Sequence, residues 1–460
     1  MRVVLLSTYE LGRQPFGLAS PVAWLQKAGA EVTCQDLAVD ATLREEAIAA
    51  ADLVAFYVPM HTATRLAAKV VQKVRELNPS AHLCFYGLYA PLNEPYLRQL
   101  GAGTILGGEF EQGLVSLVQR LADGGGEGPD EQAQPTISLG RQAFEVPDRS
   151  ALPLLNKYAK LRMGPDDFRI VGYTEASRGC KHLCRHCPVV PVYEGNFRIV
   201  QRDVALEDIR RQVAAGAEHI TFGDPDFFNG PTHAVKLVQA LHEEFPHLTY
   251  DVTIKVEHLL KCREHLPILK QTGCALVTSA VEAVDERTLA IFDKGHTKEE
   301  FIQVVSLFRE LGLALNPTFV TFSPWTTPES YLDLLRTLLQ QDLVDNISSI
   351  QYGIRLLIME RSRLLELPEV QEIIEPFDPV SLVYPWHHAD PCVDQLHQDV
   401  LAAVQQGQKE RETRRQIFKR VWRLAVEACE RQEVDAFKIA SLDQALPVAE
   451  IPYLTEPWYC

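Results

Sequence analysis

The sequence predicts an α/β protein with two successive sheet-building series and a mainly helical end, and three observations carry that expectation. Short runs rich in Val, Leu, Ile and Phe alternate with amphipathic stretches across residues 3–121, the pattern of a doubly wound parallel sheet. A polar, glycine-rich segment, DGGGEGPDEQAQPT at 123–136, interrupts the alternation, which resumes near Arg169. Across residues 394–430 the apolar spacing is helical throughout.

In the first series, strands are expected at 3–7, 31–34, 53–58, 82–86 and 104–106. Helices are expected at 21–28, 64–77 and 112–121, with a short one near Tyr96. This Rossmann-like domain occupies residues 1–122, and any ligand is expected at the carboxyl ends of its strands. Residues 123–150 read as a linker, because glycine, proline and acidic residues there leave no apolar face. The second series places strands at 170–176, 219–223, 250–256, 275–281, 313–322 and 348–357. Helices are expected near 205–215, 232–244, 258–272, 297–311 and 328–341. Six such units within 151–375 predict a partial, TIM-like (β/α)6 barrel, since a complete eight-unit barrel takes about 250 residues. Residues 376–460 form a mainly helical extension. Its basic stretch at 411–423 carries Ile417, Phe418, Val421 and Trp422 at helical spacing, so it reads as a solvated amphipathic helix rather than a nucleic-acid surface.

Composition narrows the function classes. The formal net charge of -16 on 460 residues argues against broad binding to a polyanion. No apolar run approaches the roughly 18 residues of a membrane span, and the N-terminus lacks the long apolar region of a signal peptide. Ten cysteines, three of them within eight residues, fit metal ligation in a reducing cytoplasm better than a disulfide framework.

The stretch GYTEASRGCKHLCRHCPVV sets Cys180, Cys184 and Cys187 in a CxxxCxxC loop directly after an expected strand. Three clustered thiolates suit iron-sulfur ligation, whereas a structural zinc site takes four ligands. No second cysteine pair follows, and zinc would need His182 or His186 from the same tight loop. Three protein ligands on a [4Fe-4S] cluster leave one iron open, which is what chemistry at a metal requires. An iron-sulfur redox or sensing protein and a zinc-binding structural module are the readings outside enzymology.

On that loop, placed at the end of the first strand of a partial barrel, the chain resembles the radical S-adenosylmethionine (SAM) superfamily. The resemblance implies a [4Fe-4S] cluster on Cys180, Cys184 and Cys187, SAM on the open iron, and reductive cleavage to methionine and a 5′-deoxyadenosyl radical. The run FGDPDFFN at 222–229 is similar to the family's Gly-Gly-Glu region, implying that Gly223 and Asp224 or Asp226 lie at the SAM amino group. A helix N-cap is the other use of either aspartate. Val281-Glu282-Ala283 before DERTLAIFDKGHT resembles a second family pattern and implies that Glu282 meets the SAM ribose or amino group, although the family's flanking glycines are absent. His186 occupies the family's aromatic position beside the adenine, with loop packing as its alternative.

In the first domain, QPFGLA at 14–19, AEV at 30–32 and GGEFE at 107–111 resemble the opening and closing segments of cobalamin-binding domains of radical SAM enzymes. That resemblance implies bound cobalamin approached by Gly17, Gly87 and Gly108; a vestigial domain is the alternative. The Asp-x-His-x-x-Gly motif is absent, and His61 reads as a loop residue before a cobalt ligand. Trp386 to Cys392, WHHADPC, reads as an interdomain loop before an extra metal site. The ending IPYLTEPWYC resembles the CUAEP/CCAEP-tail radical SAM (seleno)proteins; with Cys460 as the first residue of that motif, the resemblance implies a selenocysteine codon after it, and an ordinary free cysteine on a frayed tail is the alternative. Together these resemblances imply radical methyl transfer to an unidentified substrate, with flavodoxin or ferredoxin as electron donor. Cobalamin-independent radical chemistry is the rival.

Overall fold

The computed structural model describes residues 1–124, 135–429 and 451–455. Strands β1 (Arg2–Ser7), β2 (Glu31–Asp36), β3 (Leu53–Tyr57), β4 (His82–Tyr86), β5 (Thr104–Gly108) and β6 (Ile137–Ser138) form one parallel sheet in the order β2-β1-β3-β4-β5-β6. The last short strand comes from the stretch read as linker, drawn in as the Gly107 amide donates to the Thr136 carbonyl. Alternate residues point to opposite faces of a strand. Val3, Leu5 and Ala55 therefore enter one core while Val4, Leu6 and Phe56 enter the other, and helices cover both faces.

Helix Phe16–Lys27 begins earlier than expected and runs through Pro21. A proline inside a helix removes the donor to the carbonyl four residues back, here Gly17. The Tyr86 hydroxyl donates to that Gly17 carbonyl instead, at 2.7 Å. A side chain from β4 thus replaces the lost backbone bond and keeps the helix intact.

The second sheet has the order β14-β13-β12-β11-β8-β7-β15. Its strands are β7 (Lys160–Arg162), β8 (Phe168–Thr174), β11 (His219–Phe222), β12 (Thr249–Thr253), β13 (Cys274–Glu282), β14 (Leu315–Phe319) and β15 (Tyr453–Leu454). From β8 to β14 the pairing is parallel, with helices between successive strands, and β7 and β15 add an antiparallel edge. A separate antiparallel pair, β9 (Ser177–Gly179) and β10 (Phe197–Ile199), brackets the cysteine loop. The expected partial barrel is present, but its sixth strand at 348–357 is not. Ser349–Gly353 is a 3-10 turn, and one parallel bridge, Phe322 to Arg355, remains. Side chains take the hydrogen bonds a sixth strand would have made: Gln351 accepts from the Phe319 amide, and Thr321 donates to the Tyr352 and Ile354 carbonyls.

The helical pattern across 394–430 splits into helices Pro391–Lys409 and Arg414–Ala428. Arg411 at a φ of +57° makes the turn, and a Thr413–Gln416 capping box restarts the second helix. Ile417, Phe418, Val421 and Trp422 are all buried in the main core, so the apolar face of this basic helix is covered by the barrel. Among the described residues, no helix is long and apolar enough to cross a membrane. Trp422→Ala is expected to lower the free energy of unfolding by about 3–5 kcal/mol in a denaturant titration. Arg423→Ala, on the exposed face of the same helix, should stay within about 0.5 kcal/mol.

Candidate functional site

The cysteine loop leaves β9 and crosses the carboxyl ends of the second sheet. Backbone bonds pin it there: the Arg185 amide donates to the Phe292 carbonyl at 2.9 Å, and the Lys181 amide to Asn229 Oδ1 at 3.2 Å. Cys180, Cys184 and Cys187 are free thiols. Cys180 and Cys187 lie against an apolar group that includes Val189, Tyr193 and Met359. Burial, with a smaller push from the neighbouring cysteines, raises Cys180 to about 11 and Cys187 to about 12. Such thiols stay protonated at neutral pH unless a metal binds them as thiolates. Three sulfur donors on one loop are the donor set of an iron-sulfur cluster, so these residues fit that group. The buried Lys294 ammonium stands close enough to Cys184 and Cys187 to offset thiolate charge.

His182 and His186 point to different partners and do not meet at one metal. His182 Nε2 lies 3.2 Å from Asp226 Oδ2, and His186 Nε2 lies 3.1 Å from Glu282 Oε1. His182, Asp226 and His258 are close enough together to hold an ion. Lys255 Nζ, however, stands 3.3 Å from His182 Nδ1. With that nitrogen accepting from the ammonium, Nε2 carries the proton that Asp226 accepts, and a cation already occupies the neighbourhood. The group is a hydrogen-bonded carboxylate.

Each strand-end acid has its own setting. Asp226 Oδ1 accepts from the Phe228 amide at 3.0 Å, the N-cap role, while Oδ2 meets both imidazoles, with His258 at 2.6 Å. Burial opposes its charge, but the two histidines outweigh burial and lower its pKa. Asp224 accepts from the Ala176 amide at 2.9 Å and the Ser177 hydroxyl at 2.6 Å, bracing the start of β9; burial lifts it to about 7. At Gly223 a Cβ would fall 1.8 Å from the Tyr173 hydroxyl, so glycine is required for β8 and β11 side chains to pack. Glu282 ends β13 at a φ of +70°, uncommon for a residue with a side chain. Burial opposes its charge too, yet Lys294 at 3.5 Å and the His186 bond hold it down at about 2. The His186 ring also packs 4.4 Å from that of Phe292. His296 is buried with neither ring nitrogen partnered; burial, Lys294 and Lys255 depress it to about 4, so it stays neutral.

Beside this floor lies the seam with the first domain. Arg178 pairs with Glu175 at 2.6 Å, Glu111 at 2.7 Å and Glu109 at 3.3 Å, all within a wall that includes Phe16, Phe110 and Phe144. A cavity of about 200 Å³ opens next to it, lined by Glu10, Arg13, Tyr57, Tyr173 and Tyr193 among others. The three glycines expected to approach cobalamin face this chain's own atoms. A Cβ on Gly17 would fall 2.2 Å from the Tyr57 ring, one on Gly87 3.0 Å from the same ring, and one on Gly108 2.2 Å from the Ser138 carbonyl. As placed, these residues do not accommodate a corrinoid, since even drug-sized ligands fill about 300–1,000 Å³.

His61 opens helix His61–Leu77 and bonds the Ser381 carbonyl, tying the first domain to the C-terminal region. In WHHADPC, Arg355 stacks 3.6 Å over Trp386 and Asp390 caps helix Pro391–Lys409. Cys460 and its tail reading lie outside the described residues. Sequence reasoning missed Arg178, Lys294, Lys255, His258 and Tyr57. Two had a usable signal: Arg178 directly precedes the cysteine loop, and Lys294 stands in the DKGHT run.

Comparison with known proteins adds relatives in sequence and in fold. Residues 174–338, which hold the cysteine loop and strands β11 to β14, match the model of the Radical SAM superfamily. The hopanoid C-3 methylase of Methylococcus capsulatus is 24% identical over 330 residues, which span 68% of this chain and 62% of that protein. A tRNA-2-methylthio-N(6)-dimethylallyladenosine synthase from a Sulfurihydrogenibium species is 23% identical over 44% of this chain and 47% of its own. Among solved structures, the cobalamin-dependent SAM radical enzyme OxsB with aqua-cobalamin bound superposes with a TM-score of 0.69. That match has 15% identity and covers 88% of this chain and 67% of OxsB. The radical SAM methyltransferase TsrM of Kitasatospora setae gives 0.59 at 18% identity, over 74% of this chain and 72% of its own. These two likenesses show that the fold is shared over 88% and 74% of this chain.

The seam yields a pH prediction. Burial pushes Glu109 up from 4.5 to about 7 against the pull of Arg178. The folded chain therefore binds this proton more tightly than the unfolded one, and the associated stability is complete below pH 4.5 and lost as pH rises to 7. Thermal unfolding of Glu109→Gln should gain on the wild type between pH 5 and pH 8; an unchanged difference contradicts the assignment.

Proposed function

We propose that this protein is a radical SAM enzyme that cleaves S-adenosylmethionine reductively, releases a 5′-deoxyadenosyl radical, and methylates an as yet unidentified substrate with cobalamin as second cofactor. The observation that carries the reading is the set of three free cysteines on one strand-end loop, flanked by the ionised Glu282–Lys294 pair. Cys180, Cys184 and Cys187 would hold a [4Fe-4S] cluster, which would supply the electron for SAM cleavage and a site for SAM. The chain's own residues do the rest. Lys294 offsets negative charge at Cys184 and Cys187. Glu282, charged at neutral pH, uses Oε1 for both His186 and Lys294 and is the strand-end acid best placed to take the ammonium or ribose hydroxyls of SAM. Asp224 and Asp226 already accept from backbone, serine and imidazole donors, and they position the loop and its supports. Methylation is favoured over other radical outcomes by the methylase and methyltransferase among the similar proteins. Because the first-domain residues are closed as they stand, no step is assigned to cobalamin. Flavodoxin or ferredoxin is the expected electron source.

The test is anaerobic. The chain is reconstituted with iron and sulfide, given dithionite and SAM, and assayed for 5′-deoxyadenosine. Product that disappears in Cys184→Ala supports the enzyme; a cluster without SAM cleavage supports a redox or sensing protein, and no iron uptake returns the zinc alternative. Glu282→Gln should retain the cluster and weaken SAM binding by about tenfold, the loss of one charge-assisted hydrogen bond.

A further inference from the structure

Open parallel sheets take ligands outside the carboxyl ends of their strands, where strand order reverses. In the first sheet that reversal lies between β1 and β3. The loop leaving β1 carries Glu10 and Arg13, and the Arg13 amide donates to the Glu10 carbonyl at 2.9 Å. One turn thus brings both residues to the seam cavity of about 200 Å³. The opposite wall of that cavity includes Gly179, which directly precedes Cys180, and Gly223, directly after β11. The cavity therefore adjoins the cysteine loop, and it is smaller than the about 300–1,000 Å³ taken by drug-sized ligands, so it suits a small molecule.

Two charged groups on this cavity are unmet. Glu10 is only 6% exposed, and its Oε2 has no hydrogen-bond partner; Arg13 Nε, also buried, has none either. Burial, with Glu175 nearby, lifts Glu10 well above the usual carboxylate range, and Arg13 does not bring it back. The adjacent base is already committed, since Arg178 pairs with Glu109, Glu111 and Glu175. Arg13 instead lies over the Tyr173 ring, 5.2 Å from its centroid. Buried polar groups without partners are rare in folded proteins. An acceptor and a donor left open on one cavity call for a ligand that supplies the converse pair. Between them Tyr57, Phe110 and Tyr193 give aromatic surface for its apolar body.

We propose that this cavity binds a small zwitterion of amino-acid size as the substrate, with its ammonium at Glu10 and its carboxylate at Arg13. That the ligand is the substrate rests on the function proposed above; the binding site does not. A guanidinium matches a carboxylate, and an ammonium supplies the cation that Glu10 lacks. Each contact is a charge-assisted hydrogen bond, and loss of one costs about tenfold in affinity.

The experiment is isothermal titration calorimetry on the anaerobically reconstituted full chain, with SAM present and reductant absent so that the probe does not replace the amino-acid end of SAM. The probes are L-leucine, isoamylamine, which lacks the carboxylate, and 4-methylpentanoate, which lacks the ammonium. Leucine should bind about tenfold more tightly than either. Glu10→Gln should weaken leucine about tenfold and leave 4-methylpentanoate unchanged, whereas Arg13→Gln should weaken leucine and leave isoamylamine unchanged. Comparison of the three probes on the wild type needs no variant, so it decides the question even where a substitution impairs folding. Equal affinity for the three, or no binding of leucine, overturns the site. 5′-Deoxyadenosine assayed in parallel separates the two readings. SAM cleavage without leucine binding removes this site and leaves the proposed function standing; leucine binding without SAM cleavage supports the site and overturns its role as substrate site.

Discussion

One guanidinium holds the two halves of this protein in register. Arg178 is buried, and its three carboxylate partners come from both sides of the seam: Glu109 and Glu111 from the turn that closes the first sheet, Glu175 from the segment entering the cysteine loop. Removing one member of such a buried group leaves the others uncompensated at a cost of about 3–5 kcal/mol, so the arrangement tolerates little drift. Three acids on one base carry excess negative charge. The structure resolves it by keeping Glu111 ionised, with burial overcome by Arg178, while burial lifts Glu109 towards neutrality. The aromatic wall of Phe16, Phe110 and Phe144 excludes water and sharpens that choice.

From this anchor the cysteine loop runs between two sets of alternating charges. On one side stand Lys255, His182, Asp226 and His258; on the other, Lys294, Glu282 and His186. Each set contains one loop histidine, so the loop is held from both sides by side chains at and beyond the strand ends of the sheet. Groups held in this way need not reorganise when charge changes beside them, which is the condition for electrostatic work at a buried centre. Asp224 contributes indirectly by fixing Ala176 and Ser177 where the loop begins.

The first domain shows how one residue type can satisfy different demands. Gly17, Gly87 and Gly108 all occupy positions where a Cβ would collide, but the colliding atoms belong to Tyr57 and Ser138 of the same chain. The need for glycine was readable; its cause was not, because a close approach by a ligand and one by a neighbouring side chain demand the same residue. Pro21 is a related case. In isolation it marks a helix start, and only the Tyr86 hydroxyl from a distant strand lets the helix begin at Phe16.

By itself the sequence determined the features that local chemistry decides. Hydrophobic periodicity set the strands and helices of both sheets, and the spacing of Cys180, Cys184 and Cys187 defined a three-thiolate loop, since each depends on residues within a turn or strand of one another. Tertiary structure decided what depends on residues far apart in the chain. It replaced a sixth strand with the Gln351 and Thr321 side-chain bonds, sent His182 and His186 to separate carboxylates, and paired Arg178 with acids about 70 residues away. The physical reason is burial: a charged or polar group removed from water must find its partner wherever the fold brings one, and sequence periodicity carries no record of that choice.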